Sequence, residues 1–121
     1  MIIGVGIDLI EVERFRDYQD GAKSCPFTHS ELRYCYGKRY PERHLAARFA
    51  AKEAFFKAIG TGARTPGEFV LIEVVLDDAG NPSLRVTGIE VIIIGGLSIS
   101  RVHLSLTHTG STAGAVVILE G

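Results

Sequence analysis

The feature that most constrains the fold is the segment from Pro41 to Gly60, PERHLAARFAAKEAFFKAIG, in which apolar residues cover most of a helix circumference. Proline suits the first turn of a helix and glycine its C-cap, so the segment is predicted to be one helix. A helix that is apolar nearly all round is usually buried. The rest of this 121-residue chain, a length typical of one domain, is therefore expected to pack around it.

Three charged residues, Lys52, Glu53 and Lys57, interrupt this apolar helix. At about 100° per residue, Glu53 and Lys57 lie side by side, close to two phenylalanines, and Lys52 stands alone on the other side of these rings. An i,i+4 ion pair between Glu53 and Lys57 would contribute only ~0.2–0.5 kcal/mol on a helix surface. The other interpretation is a cleft in which the carboxylate binds a metal ion and the ammonium binds an anion, because a buried charge needs a partner.

The loop Gly60-Thr61-Gly62 directly follows the helix. Glycines let a backbone approach a ligand closely, and Thr61 offers a hydroxyl. A glycine at this place is also an ordinary helix C-cap, so both interpretations stay open.

A second carboxylate, Asp8, lies in the apolar stretch MIIGVGIDLI at positions 1–10, which is predicted to be a strand buried on both faces. Asp8 is either the cap of a following helix or a ligand. Asp8 and Glu53 together could bind Mg²⁺, which often takes one or two carboxylates, waters and substrate phosphates. Lys57 nearby would suit those phosphates.

Two histidines occur in VHLSLTHTG at positions 102–110, which alternates like a strand. His103 and His108 fall on opposite faces of that strand, so a zinc site would need further ligands. His103 is interpreted as a core histidine with a hydrogen-bonded partner. His108, beside Thr109, is the better candidate for contact with a ligand.

The remaining elements indicate an α+β fold, with helices mainly in the first half packed on a mainly antiparallel sheet. EVERFRDYQDG at 11–21 is predicted to be a short helix that ends at Gly21, and the capping-box spacing of Thr28 and Glu31 predicts a second helix to about Gly37. Strands are predicted within 68–80, 83–88, 101–109 and 113–120. Residues 91–96, VIIIGG, have a β-branched run that favours a strand, although the context leaves this segment ambiguous.

Composition excludes several classes of protein. A net charge of −1 argues against general attraction to nucleic acid or to an anionic membrane. No stretch reaches the ~18–20 apolar residues of a membrane span, and the start of the chain reads as mature protein without a signal peptide. Cys25 and Cys35 are interpreted as free thiols, which indicates a reducing, cytoplasmic location.

Three stretches together resemble a known family, the holo-acyl-carrier-protein synthases, which are small bacterial 4′-phosphopantetheinyl transferases. GIDLIEVERF resembles the N-terminal motif of that family, RFAAKEAFFKAIGTG is similar to its most diagnostic motif, and VHLSLTHTGSTAGAVVI resembles its C-terminal strand pair. The resemblance covers nearly the whole chain, so residues 1–121 are expected to form one phosphopantetheinyl transferase domain.

That resemblance implies a reaction: transfer of the 4′-phosphopantetheine group of coenzyme A to a serine hydroxyl of apo-acyl carrier protein, with release of adenosine 3′,5′-bisphosphate, in fatty acid biosynthesis. Mg²⁺ would be held by Asp8 and Glu53, with Lys57 near the phosphates; all three are expected to be catalytic. The positions that match the family around the nucleotide are Arg48, Lys57, Gly60, Thr61, Gly62, Pro82, His108 and Thr109.

The resemblance also implies partners. Arg14, helped by Arg16, would meet the strongly acidic acyl carrier protein through a local basic patch. The family works as a homotrimer with active sites at subunit interfaces. Two alternatives remain, a catalytically inactive module that binds coenzyme A or the carrier protein, and a divalent-metal phosphohydrolase.

The sequence departs from the family pattern at three places. Asn81 replaces a common lysine before Pro82, and Gly110 replaces a residue that is often charged. Residues 89–100 lack the expected alanine-rich helical character. The first two departures weaken the expected nucleotide contacts but leave the metal pair intact.

Overall fold

The computed structural model describes residues 1–18, 25–61, 65–87 and 92–121. Its elements are β1 (Ile2–Glu11), a 3-10 helix (Val12–Phe15), α1 (His29–Tyr36), α2 (Pro41–Ile59), α3 (Pro66–Phe69), β2 (Ile72–Leu76), β3 (Pro82–Val86), β4 (Ile93–Ile94), β5 (Leu97–Ser98), β6 (Arg101–His108) and β7 (Thr112–Glu120). β1, β7 and β6 form a sheet in that order, and β2–β3 and β4–β5 are hairpins. All of these pairings are antiparallel, which confirms the predicted α+β class.

α2 is the central element, and its predicted bounds are confirmed. It starts at Pro41 in its first turn and ends at the left-handed Gly60. The helix packs against β1, β7, α1 and the 3-10 helix. Its Leu45 and Phe55 are almost completely buried, and burial of such a side chain stabilises the fold by about 1.5–3 kcal/mol.

Two glycines bring β1 unusually close to α2. A Cβ atom at Gly6 would lie 1.8 Å from the carbonyl oxygen of Ala54, and one at Gly4 would lie 2.3 Å from that of Ala58. Only glycine therefore allows the strand to lie directly on the helix. Because alternate strand residues share a face, this approach also places Asp8 against the C-terminal half of α2.

Among the described residues, the sheet is buried on only one of its faces. Ala113, Ala115, Val117 and Leu119 of β7 are buried on the side of α2. On the other side Val5, Ile7 and Leu9 of β1 are 58%, 65% and 68% exposed, so the prediction of a strand buried on both faces was wrong. α2 packs against one side of this sheet. We call the uncovered side the open sheet face; it includes Val5, Ile7 and Leu9 of β1. Ile118 and Val116 of β7, which the strand register sets opposite Val5 and Ile7, also belong to it.

The predicted helix at 11–21 is also corrected. Within the described part of this segment, residues 11–18, only Val12–Phe15 forms a helical turn, of the 3-10 type. Arg16 is extended and Asp17 adopts a positive φ of 54°, and this combination ends the helix. Gly21, the predicted end, lies outside the described residues.

The predicted strand at 68–80 begins with a helix instead. Thr65 and Glu68 form a capping box that starts α3, and β2 begins only at Ile72. The same motif was recognised at Thr28 and Glu31, where the predicted capping box and helix are confirmed.

The ambiguous segment forms a small hairpin in its described part. β4 and β5 are joined by Gly95 and Gly96, whose φ angles are 57° and 83°. A two-residue hairpin turn with positive φ at both positions favours glycine, so the strand interpretation holds here. Among the described residues, no helix has both the length and the apolar character needed to cross a membrane.

Candidate active site

Asp8 lies in the middle of β1, three residues before its end, so the capping interpretation is wrong. Its side chain is 12% exposed. Oδ1 accepts a hydrogen bond from Lys57 Nζ at 2.7 Å. Oδ2 is buried and has no hydrogen-bond partner in the described part of the chain. An ionised carboxylate with one buried, unpartnered oxygen is suited to accept a cation.

Lys57 reaches across from the last turn of α2 to β1. Besides Asp8, its ammonium donates to the carbonyl oxygen of Ile7 at 3.0 Å. The side chain is 49% exposed, so it is accessible to a ligand as well. The ion pair that forms is thus Lys57–Asp8, and the i,i+4 interpretation of Glu53 and Lys57 does not describe this site.

Glu53 shares the electrostatic environment of both residues. Its pKa is raised above the ordinary value, first by partial burial and then by the negative charge of Asp8. Lys57 and Arg14 act in the opposite direction. The negative charge of Asp8 beside Glu53 makes this a place where a divalent cation would relieve repulsion. Together with the unpartnered Asp8 Oδ2, this donor set fits Mg²⁺.

A groove of about 350 Å³ begins at Glu53, and we call it the Arg14 groove. Its lining residues are Arg14, Phe15, Tyr18, Pro26, Phe49, Glu53, Pro66 and Phe69. The Arg14 guanidinium carbon lies 4.8 Å from the centre of the Phe49 ring. The groove therefore combines aromatic walls with the cation of Arg14 and the carboxylate of Glu53.

Arg16 does not line this groove. Its Nε lies 2.6 Å from Glu13 Oε2, and both side chains are more than half exposed. The hydrogen bond to Glu13 raises the pKa of Arg16 further above its ordinary value. Of the two predicted carrier-binding arginines, the structure brings only Arg14 next to Glu53.

Arg48 is buried, with 4% exposure, and its guanidinium carbon lies 4.3 Å from the ring centre of Tyr34. One of its nitrogens donates to the carbonyl oxygen of His44 at 3.3 Å, whereas Nε has no partner among the described residues. Arg48 lines a second cavity of about 380 Å³, together with Ser30, Glu31, Tyr34, Glu73, Val74, Val75, Leu76 and Arg85. We call it the Arg48 cavity.

His108 ends β6 and packs edge-on against His44, with ring centres 5.5 Å apart. The pKa of His44 is lowered by burial first, and then by the positive charges of Arg48, His108, Lys38 and Arg43. The surroundings of His44 and His108 are therefore strongly positive, and an anion would be stabilised there.

Part of this positive cluster was missed from the sequence. Lys38 lies over the Tyr34 ring at 4.6 Å, and Arg43 lies over the Tyr40 ring at 4.1 Å. The signal was present in KRYPERH at positions 38–44, where cationic side chains lie close in sequence to aromatic and imidazole rings at the start of α2.

The remaining predicted nucleotide-binding residues have local structural roles. Gly60, with φ of 81°, ends α2, and Thr61 Oγ1 lies 3.5 Å from the carbonyl oxygen of Phe56. Gly62 lies outside the described residues. Pro82 begins β3 opposite Leu76, a lining residue of the Arg48 cavity.

Thr109 Oγ1 accepts hydrogen bonds from the backbone N–H groups of Ser111 and Thr112 at 3.2 and 3.1 Å, which stabilises the β6–β7 turn. His103 contacts the carboxylate of Glu120, which confirms the prediction that His103 has a hydrogen-bonded partner. Its side chain is half exposed, however, so its predicted place in the core was wrong.

The buried partner of Lys52 was also missed. Lys52 is fully buried, and its Nζ lies 2.6 Å from Glu31 Oε1 and 2.7 Å from the carbonyl oxygen of Pro26. Burial lowers the pKa of Lys52, and the charge of Glu31 opposes that effect. No periodicity indicates this pairing, because the two residues lie 21 positions apart in different helices.

Comparison with known proteins defines the class to which this fold and site belong. The 4′-phosphopantetheinyl transferase superfamily matches residues 4–115. The holo-[acyl-carrier-protein] synthase of Geobacter sulfurreducens is 43% identical over 99% of this chain and 98% of its own length. That of Geotalea daltonii is 38% identical over 99% of each chain.

A solved structure agrees with these relatives. The holo-(acyl-carrier-protein) synthase of Bacillus anthracis, in complex with CoA (3′,5′-ADP), superimposes with a TM-score of 0.76 at 37% identity and covers 98% of this chain and 96% of its own. The chain belongs to the holo-acyl-carrier-protein synthases of the 4′-phosphopantetheinyl transferase superfamily.

Proposed function

We propose that this chain transfers the 4′-phosphopantetheine group of coenzyme A to a serine hydroxyl of apo-acyl carrier protein and releases adenosine 3′,5′-bisphosphate, in fatty acid biosynthesis. The observation that carries the proposal is the contact of 2.7 Å between Lys57 Nζ and Asp8 Oδ1 beside Glu53. It brings two carboxylates and an ammonium to one place, which is what phosphoryl transfer requires. The relatives are named holo-[acyl-carrier-protein] synthases, and the reaction in that name supplies the substrates of the proposal.

Asp8 and Glu53 would hold Mg²⁺. When bound, the ion would neutralise charge that develops on the oxygens of the transferred phosphoryl group. Asp8 Oδ2 is the free oxygen for that purpose, because Oδ1 is occupied by Lys57. The ammonium of Lys57 orients Asp8 and adds positive charge next to the diphosphate.

Glu53 is the candidate base for the serine proton, directly or through a water. Its raised pKa makes it a better proton acceptor than an ordinary glutamate. In the reaction the serine oxygen forms a bond to the phosphorus next to pantetheine. The bond from that phosphorus to the bridging oxygen breaks, and adenosine 3′,5′-bisphosphate leaves with the electron pair.

The nucleotide would bind at the positive cluster of Arg48 and His108. The pKa of His44 is lowered first by burial and then by the charges of nearby cations, Arg48 among them, and this second cause supports the assignment. Gly60, Thr61, Gly62, Pro82 and Thr109 complete the predicted nucleotide contacts and remain predictions.

The acidic carrier protein would dock at the Arg14 groove. Arg14 lines the groove together with Glu53, where the serine must arrive, and the aromatic lining residues offer apolar contact. Arg16, turned toward Glu13, would act as a peripheral charge that speeds association.

Three copies of the chain would assemble through the open sheet face. Ile7 and Leu9, the neighbours of Asp8 on β1, lie on this face and are more than 60% exposed. Extended apolar patches of this kind are typical of interaction sites. Because Asp8 lies on the same strand, an adjoining subunit would border the active site. Light scattering tests this assembly, with three times the chain mass as the expected result and a monomer as the contradicting one.

We further propose that residues 1–121 act as one domain in the cytoplasm, with no nucleic-acid or membrane partner. Mass spectrometry of intact apo-acyl carrier protein, after incubation with this protein, coenzyme A and Mg²⁺, tests the activity. A gain of one phosphopantetheine that EDTA abolishes is the expected result. Coenzyme A binding without transfer would indicate an inactive binding module, and phosphate or nucleotide release without the carrier would indicate a phosphohydrolase.

A further inference from the structure

Lys52 and Glu31 form a charged pair that the proposed mechanism does not use. Lys52 is fully buried and Glu31 is 1% exposed, with 2.6 Å between their charged atoms. Burying two charges costs desolvation energy that their attraction seldom exceeds, and apolar replacements of both partners are often equally stable. The pair is therefore poorly explained by stability alone.

The bonds of the pair reach the walls of both cavities. Lys52 Nζ donates to the carbonyl oxygen of Pro26, which lines the Arg14 groove. Glu31 Oε2 accepts from the backbone N–H of Val74 at 2.9 Å, and Glu31 and Val74 both line the Arg48 cavity. Glu31 Oε1 also accepts from the N–H of Thr28 at 2.9 Å. One ion pair thus ties two backbone segments, around Pro26–Thr28 and at Val74, to α2.

We propose that Lys52 and Glu31 are positioning residues that hold the wall of the Arg14 groove and the wall of the Arg48 cavity in a fixed relation to α2. This inference rests on the proposed function, in which the carrier protein occupies the groove and the nucleotide the cavity. Lys52 directly precedes Glu53, so the helix that carries the metal-binding carboxylate also carries the anchor for both walls. Charged hydrogen bonds have strict directions, which apolar contacts lack.

The test uses the double variant Lys52→Met/Glu31→Leu, which removes both charges without leaving one unpaired. Its matched control is Leu119→Ala, which creates a cavity at a buried position of β7 that lines neither the Arg14 groove nor the Arg48 cavity and so lowers stability without removing the pair. We expect the KM values for coenzyme A and for the carrier protein to rise about tenfold or more in the double variant, with kcat within about threefold of wild type. The control keeps wild-type KM values below its melting temperature. Wild-type KM values in the folded double variant would overturn the proposal.

Hydrogen exchange provides a readout that does not depend on turnover. In the double variant, backbone amides of 25–28 and 72–76 should exchange faster than in Leu119→Ala, while those of 113–119 should not. If the wild-type protein transfers nothing, the proposed function fails, yet this exchange pattern still supports the positioning pair. Unchanged exchange at 25–28 and 72–76 would overturn the proposed positioning role of Lys52 and Glu31. Should the double variant not fold, Glu31→Gln, which removes the charge that binds Lys52, takes its place in both measurements, with faster exchange expected at 25–28.

Discussion

Lys57 Nζ lies 2.7 Å from Asp8 Oδ1, and this contact joins the last turn of α2 to the middle of β1 across 49 positions of the chain. It leaves Asp8 Oδ2 buried and unpartnered within the described residues. The contact exists because Gly4 and Gly6 let β1 lie directly on the helix. The chemistry of the site therefore depends on backbone packing as much as on the charged residues themselves.

Asp8→Asn and Glu53→Gln should each lower the transfer rate about 100-fold or more while the fold stays intact, since each removes a charge that would bind Mg²⁺. The rate is followed by mass spectrometry of the carrier protein, and circular dichroism controls for folding. Turnover like that of the wild type in either variant would contradict the proposed metal pair.

Gly6→Ala should destabilise the protein by about 3 kcal/mol, because the added Cβ would lie 1.8 Å from the Ala54 carbonyl oxygen and must push β1 away from α2. Urea unfolding measures the loss. The matched control is Gly67→Ala, where the nearest atom to an added Cβ is 3.9 Å away. Equal stability of the two variants would show that the close approach is not required.

Lys52→Met alone should destabilise the protein by about 3–5 kcal/mol, because it leaves the Glu31 carboxylate buried without its cation. Arg16→Ala, which breaks the exposed pair with Glu13, should have almost no effect. Thermal unfolding of both variants checks the difference. A small effect of Lys52→Met would mean that Glu31 becomes neutral or gains water.

Stability should fall as the pH is lowered through the titration range of His44. Its pKa is lowered in the folded state, chiefly by burial, so the unfolded chain binds more protons between the folded pKa and the ordinary value of 6.5. This loss of stability is absent at pH values above the ordinary pKa and complete at pH values below the folded-state pKa. His44→Gln should flatten this part of the profile of unfolding free energy against pH. An unchanged slope would assign the effect to another group.

Cys35 should resist alkylation in the native protein. Burial raises its pKa to about 11, so little thiolate forms at pH 8, and the side chain is fully buried. Cys25 is partly exposed and should react first. Mass spectrometry after iodoacetamide treatment counts the modified thiols, and a sample in urea should show both. Rapid labelling of Cys35 in the native protein would indicate local opening around α1.

Local features of the fold were predictable from residue patterns. Pro41, Gly60 and the apolar circumference between them define α2, and the Thr28–Glu31 spacing defines the start of α1. Helix periodicity and capping depend on residues within a few positions of each other, so a single sequence records them directly. The same reasoning identified Asp8, Glu53 and Lys57 as charges that need partners.

The partners themselves could not be read from those patterns. Lys57 binds Asp8 rather than Glu53, and Lys52 binds Glu31 in another helix. The open face of β1 likewise looked buried, because the sequence does not distinguish an apolar residue covered by a helix from one that stays exposed on a sheet face. These relationships depend on how closely two segments pack when they are far apart along the chain. The whole three-dimensional arrangement sets that spacing, and no local run of residues does.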